Sequence, residues 1–362
     1  MAKPRHYGLI LAGGRGTRFW PRSRTGAPKQ LLRFLSEQSL LQETVERLRP
    51  VIPPERIWIL TSEHLREPIQ AQLPDVPLAQ ILAEPAQRNT APCLGLAAGI
   101  IHAQDPDAVL GVFPADHHIA RPAAFRKLLK PAFAAAVNGK LATIGIQPRW
   151  PETGYGYLEF SKGFAGDGSG ALPVLRFREK PDLKTARKFV AAGRFYWNAG
   201  MFFWRADVFL EALRQHLPRT AALLASLPRF GDRKFDSRLK AAYPLCESIS
   251  VDYAVMEKAS LKGQVYGVPA GDIGWSDLGS WNAVHELLPR DGDGNSARTE
   301  ILTLGARRCH VEASGKLVAL VGVEDLVVVD TKDALLVAHR GKAQEVGELV
   351  KQLEKRQRKD LL

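Results

Sequence analysis

A few cations and carboxylates along this chain have the types and spacing to handle phosphate. Leu11, Ala12, Gly13 and Gly14 end an apolar run, Tyr7 to Leu11, and open the stretch RGTRFWPRSRTGAPKQ. Glycines let a backbone turn tightly and expose its N–H groups to an anion. Arg15, Arg18, Arg22, Arg24 and Lys29 follow in that stretch. A strand, a glycine turn and a basic segment describe a cradle for a polyphosphate. A plain strand-to-helix turn beside surface arginines fits the same glycines. Two better-known loops are excluded. The Gly-Lys-Ser/Thr of a Walker loop is missing, and Phe19 stands where a dinucleotide fingerprint needs its third glycine.

Asp116 follows the apolar run Ala108 to Phe113. A lone Asp in that place serves as a helix cap or as a hard oxygen ligand for the Mg²⁺ that a triphosphate carries. Asp277 is a second isolated carboxylate, between Trp275 and Trp281, where Ser276 or Asp277 can equally cap a following helix. His117 and His118 are adjacent, so on an extended chain they point to opposite sides and cannot chelate one ion. We read them as structural.

The elements that must carry these residues alternate. Tyr7–Leu11, Arg56–Leu60, Ile81–Leu82, Ala108–Phe113 and Leu141–Ile146 read as buried strands, and Leu40–Leu48 and Cys93–His102 as helices. Continuous apolar strands between helices argue for a parallel sheet covered on both faces. In such sheets ligands gather at the carboxyl ends of the strands. Asn89 or Thr90 caps the Cys93 helix. The loop PETGYGY, Pro151 to Tyr157, is a hairpin turn or a close wall against a sugar ring. Val174–Arg178 and Trp197–Trp204 read as further strands, the second unusual in opening on Asn198 and Gly200, and Ser250–Lys258 as the start of a helix. LLPRDGDGNSAR, residues 287–298, is the clearest linker; its DGDGN lacks the length and final Glu of a calcium loop. Beyond it, short apolar stretches from Ile301 to His339 predict a small β domain, closed by an amphipathic helix over Gly341–Arg358.

Composition narrows the class. A length of 362 residues suggests two or three domains, at roughly 150 residues each. No apolar run reaches the roughly 20 residues that cross a bilayer. The N-terminus lacks the apolar core of a signal peptide. Three scattered cysteines, Cys93, Cys246 and Cys309, form no metal spacing and fit a reducing cytoplasm. A formal charge of +12 permits nucleic acid, but no basic helix repeat or aromatic-basic interleaving supports it. Small anionic substrates account for the charge as well.

Taken together, LAGGRGTRFWPRSRTGAPKQ, EPAQRNTAP, FPADHHI, TGYGYLEF, FREKPD, WNAGMFFW, SVDYAVMEK and GWSDLGSW resemble the mannose-1-phosphate guanylyltransferases, in order and over nearly the whole chain. EPAQRNTAP with GWSDLGSW is more specific to the guanylyl branch than the glycine loop is. The resemblance implies an α/β fold: a Rossmann-like nucleotide-diphospho-sugar transferase domain over 1–286, a linker over 287–300, and a left-handed β-helix-like domain with a terminal helix over 301–362. It implies GTP and mannose 1-phosphate as substrates, GDP-mannose and pyrophosphate as products, and Mg²⁺ or Mn²⁺ as cofactor. It places Asp116 and Asp277 on the metal; Arg15, Arg18 and Lys29 on the triphosphate; and Lys180 on the sugar phosphate. Glu179, Asn198 and Gly154 fall on the sugar, and Leu11 to Gly14 with Asn89, Thr90 and Ala91 on the nucleotide. Direct attack at the α-phosphorus needs no covalent nucleophile, so no Ser/His/Asp set is expected. Other sugar phosphates, UTP or dTTP, or a non-catalytic nucleotide-sugar sensor are the rival readings. Some relatives continue into a cupin-type isomerase domain; this chain stops before one, so no isomerase activity is expected. The expected protein is a cytoplasmic homodimer that binds neither nucleic acid nor membrane.

Overall fold

The computed structural model describes residues 5–164 and 169–362. By packing, the chain falls into two compact units. One comprises residues up to Gly13, Val45–Pro114 and Ile119–Trp275; the other comprises Gly14–Thr44, Ala115–His118 and Ser276–Leu362. The division thus differs from the chain-order boundary at 286 that the linker suggested. Segments on either side of the linker, including the basic stretch, pack into one unit with the C-terminal region.

The first unit is built on a twisted sheet. Its parallel half runs in the order β3 (Ile81–Glu84), β2 (Ile57–Ser62), β1 (His6–Leu11) and β4 (Val109–Pro114). Leu9 pairs with Trp58 on one side and Val112 on the other. These strands are almost wholly buried, which is why they read as continuous apolar runs. Next come β5 (Leu141–Ile146) and β6 (Phe195–Arg205), with β6 inserted antiparallel between β4 and β5. A bulge interrupts β6 between Asn198 and Phe202, at the Asn-Gly pair that looked out of place in the sequence. Strand β7 (Val265–Ala270) pairs parallel to β5.

The helix expected at Cys93 starts at Thr90 and runs to Gln104, with the Asn89 side chain accepting from Thr90 N–H. Its interior is buried all round, so it shows no amphipathic stripe. The helix over Pro122–Val137 has Pro131 inside it, a residue that breaks the helical signal in sequence. The stretch read as one helix from Ser250 is a π-helical turn, Asp252–Met256, followed by Glu257–Ser260.

In the second unit, short strands stack in parallel coils. Strands β8 (Ser296–Ala297), β10 (His310–Glu312) and β12 (Leu326–Asp330) form one face, and β9 (Ile301–Leu304) and β11 (Val318–Val321) another. This is the β-helix-like domain the motifs implied. The DGDGN segment is a closed turn, in which the Asp291 carboxylate accepts from the N–H groups of Asp293 and Asn295. A hydrophobic cluster joins the basic stretch to this region within the unit: Phe19, Trp20 and Phe34 pack with Trp281, Val327, Val346 and Val350. Trp281 is fully buried, its ring 5.2 Å from Phe19, and its indole N–H donates to the Trp20 carbonyl at 3.2 Å. Truncation of such a ring leaves a cavity that cannot collapse. Trp281→Ala should cost about 3–5 kcal/mol of stability, read as a lower denaturant midpoint.

Candidate active site

The expected site residues form three clusters. The first lies in the second unit and centres on Lys29. Its side chain is only 7% exposed, and its ammonium donates to Asp116 Oδ2 at 2.8 Å and to the main-chain carbonyl of Asp277. Gly16 makes this possible. It has φ +62°, and a Cβ there would fall 2.2 Å from Lys29 Cβ. Its role is therefore close approach as well as turning. The Asp116 side chain is 36% exposed. Partial burial pushes its carboxyl up, but the Lys29 ammonium and the His117 imidazole outweigh that and hold it below the usual carboxylate range.

Neither Asp is a helix cap. The helix after Asp116 is entered through Arg121, and the helix Trp281–Leu287 through Ser280. Among the described residues nothing bonds the Asp277 carboxylate, and no group of three or more His, Cys, Asp or Glu side chains forms a closed metal cage. Asp116 and Asp277, held to one ammonium by the carboxylate of the first and the main-chain carbonyl of the second, could hold Mg²⁺ nonetheless, because that ion keeps waters and phosphate oxygens in most of its shell. Leu278, next to Asp277, has φ +46°, a strained conformation of the kind that gathers at functional sites.

The basic stretch divides by partner. Arg22 pairs with Glu312, Arg24 with Asp333 at 2.8 Å, and Arg15 with Glu354 at 2.6 Å, all within this unit. Among the described residues Arg18 reaches only a carbonyl, that of Gly279, at 3.4 Å. Arg22 and Arg24 are thus anchors of the loop rather than members of a phosphate cradle. The Arg15–Glu354 pair is half-exposed, and such pairs hold weakly enough to be exchanged.

The second cluster, in the first unit, lies at the end of β1 and Gly13. Leu11 is in β1, and Ala12 directs its N–H to Leu60 and its carbonyl to Thr61. The N–H groups of Gly13 and, onward, of Gly14, Arg15 and Gly16 carry no hydrogen bond among the described residues. Glu84, at the end of β3, lies beside Gly13, with Oε1 3.7 Å from a Cβ built there. Its other oxygen accepts from the Tyr243 hydroxyl, and burial raises its pKa. The motif contained Glu84 but gave it no role; only the pairing of β2 with β3 brings it here. Asn89 has φ +64°. Thr90 Oγ1 accepts from Val251 N–H at 2.9 Å and Ala91 N–H donates to Ile249 at 3.1 Å, so both fasten the helix start.

The third cluster, also in the first unit, is acidic. Asn198 Nδ2 donates to Asp252 at 3.0 Å, and its Oδ1 accepts from Thr143 at 2.9 Å and from Gly200 N–H at 3.2 Å across the bulge. Glu179 is buried, with Oε2 unpartnered and Oε1 3.1 Å from Lys180 Nζ. Lys180 has φ +44°, and its side chain is 55% exposed. Gly154 donates its N–H to Glu152 at 2.8 Å. Two residues on, a Cβ at Gly156 would lie 2.4 Å from Glu179 Oε2. Asp252, Gly156 and Glu84 are the residues sequence reasoning passed over; Asp252 is signalled only by its place in SVDYAVMEK.

Comparison with known proteins places the chain in a family. Residues 7–293 match the family model described as nucleotidyl transferase, and 299–353 a "MannoseP isomerase/GMP-like beta-helix domain". The chain belongs to the nucleotidyl transferase family. Within it, the chain is 39% identical to the Escherichia coli K12 protein named mannose-1-phosphate guanylyltransferase, over 98% of this chain and 74% of that one. It is 43% identical to the xanthan biosynthesis protein XanB of Xanthomonas campestris, over 95% and 72%. A solved structure from Thermus thermophilus, described as a mannose-1-phosphate geranyltransferase, superposes with TM-score 0.84 at 32% identity, covering 97% and 99%.

Burial, with Asp252 second, raises the Glu179 pKa to about 7. Unfolded, this carboxyl titrates near 4.5, so between those values the native state holds the extra proton and stability falls as pH rises. Glu179→Gln should remove that contribution. Melting temperatures from pH 4.5 to 7.5 should fall less steeply in the variant than in the parent.

Proposed function

We propose that this chain transfers GMP from GTP to mannose 1-phosphate, giving GDP-mannose and pyrophosphate. The observation that carries the reading is the buried Lys29 ammonium, which brings the Asp116 carboxylate and the Asp277 main chain onto one atom. A phosphate oxygen of the sugar attacks the α-phosphorus of GTP in line, a P–O bond forms, and the bond to the β-phosphate oxygen breaks. No proton need move if both phosphates are fully ionised, so the protein supplies position and charge. The N–H groups of Gly13 to Gly16 suit the triphosphate oxygens. Arg18 and Arg15 offset their charge, with Arg15 exchanging Glu354 for phosphate. Asp116 and Asp277 would hold Mg²⁺ or Mn²⁺, which when bound supplies positive charge against phosphate repulsion. Lys29 keeps Asp116 ionised and aimed.

For the base, Glu84 has the acceptor pair that the N1–H and N2 amino group of guanine require, an edge uracil and thymine lack. Asn89 to Ala91 frame that end. For the sugar, Glu179, Asn198 and Asp252 offer acceptors and donors to hydroxyls, and the exposed Lys180 ammonium suits the sugar phosphate. Relatives bearing the mannose-1-phosphate guanylyltransferase name support this choice over UTP, dTTP or another sugar phosphate. Buried, unbridged cysteines fit work in the cytoplasm. A homodimer fits Leu304 and Val321, exposed side by side on paired strands.

Pyrophosphate release should be fastest with GTP and mannose 1-phosphate across a panel of nucleotides and sugar phosphates. Faster release with UTP or dTTP would overturn the guanylyl assignment, and tight GDP-mannose binding without turnover would favour the sensor. Asp277→Asn should lower kcat at least about 100-fold with an unchanged melting curve. A normal rate would remove Asp277 from the metal.

A further inference from the structure

A buried polar chain in the second unit ends on the basic stretch. Arg340, 16% exposed, donates from Nη1 to His285 Nε2 at 2.8 Å. A guanidinium only donates, so Nε2 must accept and the His285 proton sits on Nδ1. From there it is given to Ser296 Oγ at 2.8 Å. The Ser296 hydroxyl proton then points to His310 Nδ1 at 2.9 Å, which puts the His310 proton on Nε2. Among the described residues that buried atom has no hydrogen-bond partner, and it faces the equally unpartnered Glu312 Oε1 at 3.7 Å. Glu312 Oε2 closes the chain by accepting from Arg22 at 2.5 Å. Both ends are arginines, so the direction of every donor between them is fixed.

The groups facing this chain fit that polarity. Burial, with Arg340 next, lowers the His285 pKa to about 4, which keeps the ring neutral. Burial pushes Glu312 up, but His310 and Arg22 bring it below its ordinary value, so it stays ionised. Arg22 lies over the Phe34 ring at 5.8 Å, and its own N–H closes a turn on the Phe19 carbonyl at 2.9 Å. Held at both side chain and backbone, Arg22 fixes the turn that follows Arg18. Of the four carboxylates that grip the stretch, Glu312 alone is buried, at 5% exposure against 36% for Asp116, 46% for Asp333 and 39% for Glu354. A buried charged bond is the one water and salt weaken least.

We propose that Glu312 is a positioning residue for nucleotide binding: the one-way chain from Arg340 through His285, Ser296 and His310 orients Glu312 to hold Arg22, and Arg22 holds the turn that aims Arg18 at the triphosphate. The inference rests on the reading of the stretch as a triphosphate cradle. Glu312 touches no substrate in this scheme, so its loss acts on GTP and spares the sugar phosphate.

The test uses the full chain. Glu312→Gln should raise KM for GTP about tenfold, the factor a lost charge-assisted bond commands, with KM for mannose 1-phosphate unchanged. Ser296→Ala should raise it in the same sense by less, and Ser296→Thr, which restores a hydroxyl, should recover it. In histidine-labelled wild-type protein, nitrogen NMR should find the His285 proton on Nδ1 and the His310 proton on Nε2, a result independent of any variant's folding. Reversed tautomers, an unchanged KM for GTP, or equal rises in both KM values would overturn the proposal. Should wild-type protein release no pyrophosphate from any triphosphate while those tautomers hold, the proposed function fails and the hydrogen-bond chain stands.

Discussion

Charge compensation at a buried ammonium is the constraint on which this structure turns. Lys29 cannot be taken out of water alone; it needs anionic or dipolar partners close at hand. Asp116 and the Asp277 carbonyl supply them, from stretches far apart in the chain. The arrangement runs in both directions. The Asp116 carboxylate and the Asp277 carbonyl let the lysine be buried, and the lysine fixes where both groups stand. Gly16 belongs to the same constraint, since any side chain there would occupy the space of Lys29.

A second pattern is the placement of strain. Asn89, Lys180 and Leu278 are three of the non-glycine residues with left-handed backbones, and each adjoins or belongs to one of the three clusters. The bulge at Asn198 and the π-helical turn at Asp252 are distortions of the same kind, and they bring those two side chains together. Regular elements supply the frame and irregular ones carry the polar groups.

Much of the frame was legible because burial on both faces writes itself as continuous apolar runs, as in Ile57–Ser62 and Val109–Pro114. Two kinds of element escaped. The helix around Pro131 carries a residue that cancels its own signal, and the turn at Asp252 has no periodicity of its own. Motifs pointed to Asp116, Asp277, Glu179 and Asn198, but not to the partners that give them their properties. Asp252 and Gly156 matter through contacts across sheet and bulge, which spacing does not encode. Arg22 and Arg24 looked equivalent to Arg18 in sequence; only the folded C-terminal region, with Glu312 and Asp333, tells anchors from the rest.

That pairing has an electrical consequence. Among the described residues, four of the five cations in the stretch are matched to carboxylates, and Arg18 alone is not. Seen from a distance the loop is nearly silent, so the chain's surplus of positive charge must attract solutes from elsewhere on its surface. At close range the same matching acts as a filter on valence. A singly charged anion offers Arg15 nothing that Glu354 does not already provide, whereas a chain of phosphates brings several charges to one place and can displace it.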